Sequence, residues 1–430
     1  MRRPSPAALL LLAACAGAAR AAAPPAPVPE TLEDGSELVV VPLPAAAWSS
    51  LRLVVRAGGA QDPEGKGGVA RLLGRCILDG VVDERGTRLE EMVRKAGGSL
   101  TLHSTPSATV YALDAPSDKL QQLAGTVVTY VTSPRLSLVD LQKEVPLLNT
   151  ESEPRGARLS WARLERLLFP PTDPNSPVDG TPLSRERIER DDLVAFFGRN
   201  YLSTAVTTVF AGAITLEQAR TLMDQSMRLP PAIADDRPAA AKVDPPSLPL
   251  TEKQSGPQHF AAVGFKLDKG RRRACQTFAR VADMRVALAV GRARKAPWIE
   301  VRCLTLRGHD FVVASSPARS PDPYAFPDTV EKALRAAAAS PPRPKEWSRV
   351  AQGAQRSLEL LAEDAPALAS ALAAEAALAR VPGPGPGHTD VSAVFFRPDQ
   401  AWAPVRDMAK RSFREDQMLQ LYLSPAPAEK

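Results

Sequence analysis

The sequence predicts an α+β fold of two similar tandem domains, each a largely antiparallel sheet packed against helices. Three observations carry this expectation. Short runs of β-branched and apolar residues are interspersed with segments of helical period, the order of these elements recurs in outline, and a stretch dense in proline and alanine, residues 230–249, lies between the two passes. The 430 residues, 44% hydrophobic and 24% charged, suffice for two or three domains with real cores and exclude disorder for the bulk of the chain. The 42 prolines, about twice the usual share, gather in clusters that mark seams. The expected organisation is a leader over residues 1–23, an N-terminal domain over 24–229, a linker over 230–255 and a C-terminal domain over 256–430.

The leader carries Arg2-Arg3, an apolar core from Ala7 to Ala14 and no acidic residue before Glu30, which reads as an export signal. The expected location is therefore the periplasm or cell envelope. Leu12-Ala13-Ala14-Cys15 has the form of a lipobox, with Cys15 acylated as the new N-terminus; cleavage after Ala19-Arg20-Ala21, discarding Cys15, is the alternative. Beyond the leader no apolar run approaches the roughly 18 residues of a membrane helix, so a lipid at Cys15 is the one membrane attachment expected.

In the first domain, residues 37–42 and 50–57 read as strands. Residues 68–79 read as a helix, with Val69, Leu72, Leu73, Cys76 and Ile77 on one face. A helix follows over 87–96, stopped by Gly97-Gly98, then strands over 99–103 and 109–114 and one long helical stretch over 117–151. Residues 193–201 close another helix, and 205–211 form a strand. After the linker come a strand (259–267), a helix (277–294), strands (299–306, 311–315), helices (328–339, 347–378) and a last strand (418–423). Past the leader three cysteines remain, Cys76, Cys275 and Cys303, an odd number; a Cys275–Cys303 disulfide and unpaired buried thiols are both compatible with the sequence.

The net charge of +6 is no nucleic-acid signature: the basic runs at 269–273 and 292–295 lack interleaved aromatics and read as solvated segments. No G-x-S-x-G, P-loop or C-x-x-C pattern occurs. The neighbouring carboxylates Glu90-Glu91 and Asp191-Asp192 read as solvated helix faces. The four histidines, His103, His259, His309 and His388, are too scattered to suggest a ligand set.

A set of short segments is more specific together than any one alone. These are Leu32-Glu33-Asp34-Gly35, Val54 to Gly59, Asp62-Pro63-Glu64-Gly65-Lys66-Gly67-Gly68-Val69-Ala70, Gly80, Gly97-Gly98, Thr109-Val110-Tyr111, Ser133 to Leu136, Val178-Asp179-Gly180-Thr181 and Phe196 to Tyr201. In this order they resemble the insulinase-like, or pitrilysin, family of zinc peptidases, densely in the N-terminal half and loosely in the C-terminal half. The resemblance implies that fold, and it implies an inverted zinc motif, H-x-x-E-H, directly after Gly68-Val69-Ala70. Here that place reads Arg71-Leu72-Leu73-Gly74-Arg75: arginines replace both histidines and glycine replaces the catalytic glutamate. The family's third ligand, a glutamate roughly seventy-five residues on, falls at Asn149, with Glu151 as the alternative. Zinc chemistry needs neutral imidazoles, a carboxylate and a general base beside a bound water, and arginine offers no lone pair near neutral pH. No metal and no cofactor are therefore expected.

The resemblance also supplies candidates for peptide binding. The family's substrate lies along a sheet edge as an added strand, which maps to Thr101, Leu102 and His103. An arginine and a tyrosine of the family's C-terminal half map to Arg292 and Trp298, able to grip a peptide through charge-assisted and cation–π contacts; a surface arginine beside a packed tryptophan is the other reading. The function implied is a non-catalytic homologue that pairs with an active, zinc-bearing peptidase subunit to close a peptide-degrading chamber. A stand-alone scaffold holding peptides or unfolded proteins is the alternative.

Overall fold

Two sheets of matching topology, one in each half of the sequence, set the architecture. The structure, a computed structural model, describes residues 27, 29–150, 164, 165, 167–169, 180–230, 246–255, 260–292, 299–316, 326–378, 389–395, 398 and 400–424. The first half contributes β1 (Glu30–Thr31), β2 (Glu37–Pro42), β3 (Trp48–Val55), α1 (Val69–Leu78), α2 (Leu89–Lys95), β4 (Ser99–Ser104), β5 (Thr109–Pro116), α3 (Leu120–Thr132), α4 (Leu138–Thr150), α5 (Pro182–Glu186), α6 (Arg190–Asn200), β6 (Val206–Gly212) and α7 (Leu216–Ser226). The second contributes β7 (Leu250–Ser255), β8 (Phe260–Lys266), α8 (Arg272–Arg292), β9 (Glu300–Leu306), β10 (His309–Ser316), α9 (Phe326–Ala339), α10 (Pro344–Glu363), α11 (Ala365–Leu378), α12 (Val391–Val394), α13 (Ala403–Ser412) and β11 (Met418–Ser424).

The first sheet runs β1-β2-β6-β3-β5-β4 and the second β7-β11-β8-β10-β9. Each is antiparallel except for one parallel pair, β2 with β6 and β7 with β11. From β2 onward the two orders coincide, so β3 corresponds to β8, β4 to β9 and α1 to α8. The repeat expected from the sequence is real at the level of topology.

Both faces of each sheet are covered. On the inner face of the first sheet, Val69, Leu72, Leu73, Cys76 and Ile77 of α1 meet Leu51, Leu53, Tyr111 and Leu113. Its outer face is covered from the other half: Leu368, Ala369 and Leu372 of α11 pack on Val39, Val41, Val209 and Ala211. Leu164, Leu168 and Phe169 in turn cover Phe260, Ala262, Phe311, Val313, Leu419 and Leu421 on the second sheet. Strands buried on both faces read as continuous apolar runs, and every residue of β6 is buried. Each half therefore completes the core of the other.

Polar ties reinforce this exchange. Arg52, buried on β3, donates to Asp114 Oδ1 (2.7 Å), to the carbonyls of Leu51 (3.0 Å) and Leu113 (3.1 Å), and across to α11 at Pro366 O (3.2 Å) and Ser370 Oγ (3.1 Å). The buried Glu37 carboxylate accepts hydrogen bonds from Thr207 Oγ1 (2.7 Å), Thr389 N (2.7 Å) and Thr389 Oγ1 (2.6 Å).

Several boundaries depart from the sequence expectation. The helical stretch 117–151 is two helices, because Pro134 lacks an amide proton and disfavours helical backbone at Ser133, while Ser137 Oγ accepts from Asp140 N (3.1 Å) to start α4. The stretch 347–378 breaks at Asp364, whose carboxylate accepts from Ala367 N (2.9 Å) and caps α11. Strand β7 lies inside the span read as linker, so the second sheet begins before residue 256. Helix α8 starts five residues before the expected 277. Helices α7 and α13 were not expected; Thr215 and Gln218 form a capping box at the start of α7. Cys275 and Cys303 form a disulfide between α8 and β9 with Cα atoms 6.1 Å apart, and Cys76 is a buried thiol. Among the described residues no helix is long and apolar enough to cross a membrane.

Candidate functional site

The motif segment folds as expected into the start of α1. Gly68 enters at φ +101°, a conformation that favours glycine, and the Asp62 carboxylate accepts from Gly68 N (2.6 Å) and Ala70 N (2.8 Å), satisfying first-turn amides. Lys66 reaches Asp192 of α6 at 2.6 Å. Ser184 Oγ donates to Gly67 O (2.9 Å), and a Cβ at Gly180 would fall 1.9 Å from that same oxygen. The family-like glycines and charges thus hold the N-terminal end of α1. Tyr111 and Tyr201, also among the resembling residues, share a buried hydrogen bond between their hydroxyls (2.9 Å), and burial holds both phenols above their ordinary range.

The face of α1 that would carry the zinc chemistry bears Arg71, Gly74 and Arg75, at the i, i+3, i+4 spacing of one helical stripe. Arg75 Nε donates to Glu144 Oε2 at 2.5 Å, and the Glu144 side chain on α4 is only 4% exposed. One turn along the same seam, Asp79 pairs with Lys143 of α4 (2.5 Å) and with Arg88 (2.6 Å), which also reaches Asp140 (3.3 Å). Burial among these carboxylates pushes the Cys76 thiol up to about 12, leaving it protonated at neutral pH. Ion pairs therefore bridge the seam between α1 and α4.

Gly74 is closed over from the other side. A Cβ built on it would lie 2.8 Å from both methyl carbons of Leu102, which projects from β4. The Leu102 side chain rests where a side chain at position 74 would begin, so a glutamate there would require it to turn to another rotamer. Asn149, at the third-ligand position, is part-buried and accepts from Arg185 Nη1 of α5 at 2.8 Å. Glu151 lies outside the described residues, as do Cys15 and Trp298; Arg292 is the last residue of α8. Among the described residues no three or more His, Cys, Asp or Glu side chains converge to hold a metal ion. Two guanidiniums, a glycine and a carboxylate already engaged by one of those guanidiniums do not fit Zn²⁺.

Strand β4 is the edge of the first sheet and pairs only with β5 among the described strands, with Leu102 opposite Tyr111 and His103 opposite Val110. Thr101 and His103 are exposed and Leu102 points inward, part-buried. The three peptide-binding candidates of this strand thus come together beside the motif face, while Arg292 belongs to the second half. In an antiparallel pair alternate residues turn both backbone groups away from the partner, so this edge can accept another strand whatever its side chains.

Glu144 escaped the sequence reading, and Leu102 was read there as a peptide contact on the strand edge, not as the cover of Gly74. Glu144 follows Leu141 and precedes Leu148 on the buried stripe of α4, and a carboxylate on such a stripe demands a partner. The packing of Leu102 on Gly74 carried no signal in the sequence, since its partner is the absence of a side chain.

Residues 38–167 match the family model described as insulinase, peptidase family M16. The Salmonella typhimurium protein called Protease 3 is 24% identical over 186 residues, which span 41% of this chain and 19% of that one. Among solved structures, a protease from Helicobacter pylori superposes with a TM-score of 0.72 at 14% identity, covering 93% of this chain and 99% of the other. A peptidase M16 inactive domain from Pseudomonas fluorescens gives 0.69 at 18% identity, covering 94% and 99%. The periplasmic protease PqqL from Escherichia coli gives 0.69 at 15% identity, covering 94% of this chain and 48% of that one. At these identities the structural likeness establishes the fold, a tandem-domain M16-like architecture.

Proposed function

We propose, for a chain that carries an insulinase (peptidase family M16) domain over residues 38–167, that it is a non-catalytic subunit that holds peptide and works beside an active zinc peptidase subunit in the cell envelope. The observation that carries this reading is the closed motif cleft: Arg75 is spent on Glu144, Leu102 covers Gly74, and Arg71 stands where the first zinc ligand belongs. Neither a metal-bound water nor a general base has a place there. The frame around the cleft is well tied, with Asp62, Lys66, Gly180 and Ser184 all in structural use. A cleft that loses its chemistry while its frame and adjacent strand edge persist favours binding over cleavage.

On this reading a peptide adds to β4 as a further strand, bonded through backbone groups and therefore with little dependence on sequence. Exposed Thr101 and His103 flank it, and Arg292 and Trp298 are further candidates for contacts from the second half. Export rests on the leader residues and is supported by the periplasmic location named for PqqL; acylation at Cys15 is the proposed route of any membrane attachment. No zinc is required.

The test is a gentle pull-down of the tagged chain from its own cells, with stoichiometry read by mass spectrometry. A one-to-one partner with an intact H-x-x-E-H motif is the expected result. Recovery without such a partner, from a homogeneous and functional preparation, overturns the pairing and leaves a stand-alone peptide scaffold.

A further inference from the structure

The second half contains a counterpart of the motif cleft, and it is open. Helix α8, edge strand β9 and helix α10 enclose about 620 Å³, a volume in the range of small-molecule sites. By topology α8 corresponds to α1 and β9 to β4, so the cleft occupies the place that Leu102 and the Arg75–Glu144 pair fill in the first half. Here the Arg285–Glu346 pair (2.9 Å) and the Cys275–Cys303 disulfide tie α8 to α10 and to β9, and the cleft stays open between them.

The floor is apolar, with Ala279, Val301, Val350 and Ala354 all buried. Two carboxylates stand at the mouth, each with partners of its own. Asp283 Oδ1 accepts from Val301 N of the strand edge at 3.0 Å, and Glu300 pairs with Arg302. Arg280 on α8, whose charge also acts on Asp283, and Arg349 on α10 are both exposed at the mouth, and neither makes a direct ion pair among the described residues. Guanidiniums on the two helical walls above an apolar floor favour a ligand with one anionic end and an apolar body. A planar carboxylate matches the guanidinium fork through parallel N–H···O bonds.

We infer that this cleft binds a free carboxylate carried on a short apolar chain, with Arg280 and Arg349 clamping the carboxylate and the floor taking the chain. Two sources share that chemistry, the C-terminus of an apolar peptide and an acyl carboxylate. The site does not depend on the strand-edge reading of β4.

Calorimetric titration of the full-length protein tests it with three probes: acetyl-Leu-Val-Ala with a free C-terminus, the same peptide as its amide, and octanoate. The peptide acid is expected to bind at least about tenfold more tightly than the amide, and Arg280→Gln/Arg349→Gln to weaken it by at least about tenfold at an unchanged melting temperature. Arginine-dependent binding of octanoate instead supports the same site and assigns the acyl source. Equal binding of acid and amide, binding unaffected by the double substitution, or no binding of either acid overturns the inference. Should the double variant lose its fold, the acid-to-amide ratio on the unaltered protein still decides.

Discussion

Arg52→Ala is expected to lower the free energy of unfolding by about 2–4 kcal/mol, below the full range for breaking a buried ion pair because the stranded Asp114 is 27% exposed. The guanidinium is 5% exposed and serves five acceptors at once. Truncation removes one donor from the carbonyls of Leu51, Leu113 and Pro366, the last of which keeps Ser370 Oγ (2.7 Å), and removes the positive partner of Asp114. Asp114 keeps a hydrogen bond from Ser50 Oγ (2.6 Å) and is 27% exposed, so the loss falls mainly on the tie between β3 and α11. Urea unfolding followed by circular dichroism gives the value. Because α11 covers the outer face of the first sheet, binding of a hydrophobic dye should rise in the variant before the main transition. A change under 1 kcal/mol would mean that α11 is held by its apolar contacts alone.

Arg75→Ala is expected to cost about 2–3 kcal/mol, somewhat less than a fully buried pair because a quarter of the Arg75 side chain meets solvent. The penalty comes from Glu144, left as a carboxylate in a seam where only 4% of it is exposed. Arg75→Ala/Glu144→Gln should therefore recover most of the loss, since the neutral amide is cheaper to bury. This double-mutant cycle separates a pair that closes the cleft from two surface charges in casual contact, for which each single change would cost below about 0.5 kcal/mol and the coupling would vanish. The same reasoning explains why returning histidine to positions 71 and 75 cannot by itself rebuild a zinc site: it removes the partner of Glu144 and leaves Leu102 above residue 74.

The framework of the fold was legible because it depends on local pattern. The apolar stripe of α1, the glycines at 68 and 180 and the alternation of β4 each follow from a few neighbouring residues. The features that failed depend on partners far along the chain. Strand β7, Leu-Thr-Glu-Lys-Gln-Ser, is polar and is a strand only because β11 pairs with it. Helix α11, Ala-Pro-Ala-Leu-Ala-Ser-Ala-Leu-Ala-Ala-Glu-Ala-Ala-Leu, has no polar face to orient it, which marks a helix buried on several sides, but not which sheet it covers. At the site, the substitutions at 71, 74 and 75 were plain from the motif. Their consequence, a cleft sealed by Glu144 and Leu102, needed the register of β4 and the phase of α4 relative to α1.

A cleft closed by Arg75, Glu144 and Leu102 should hold no catalytic zinc. This is tested most directly by equilibrating the purified full-length chain with zinc, removing the excess and measuring bound metal by mass spectrometry. Well below about 0.1 zinc per chain, the level of adventitious binding, is expected. A stoichiometry near one zinc per chain, abolished by Glu151→Gln and accompanied by chelator-sensitive hydrolysis of an unstructured peptide, would contradict it.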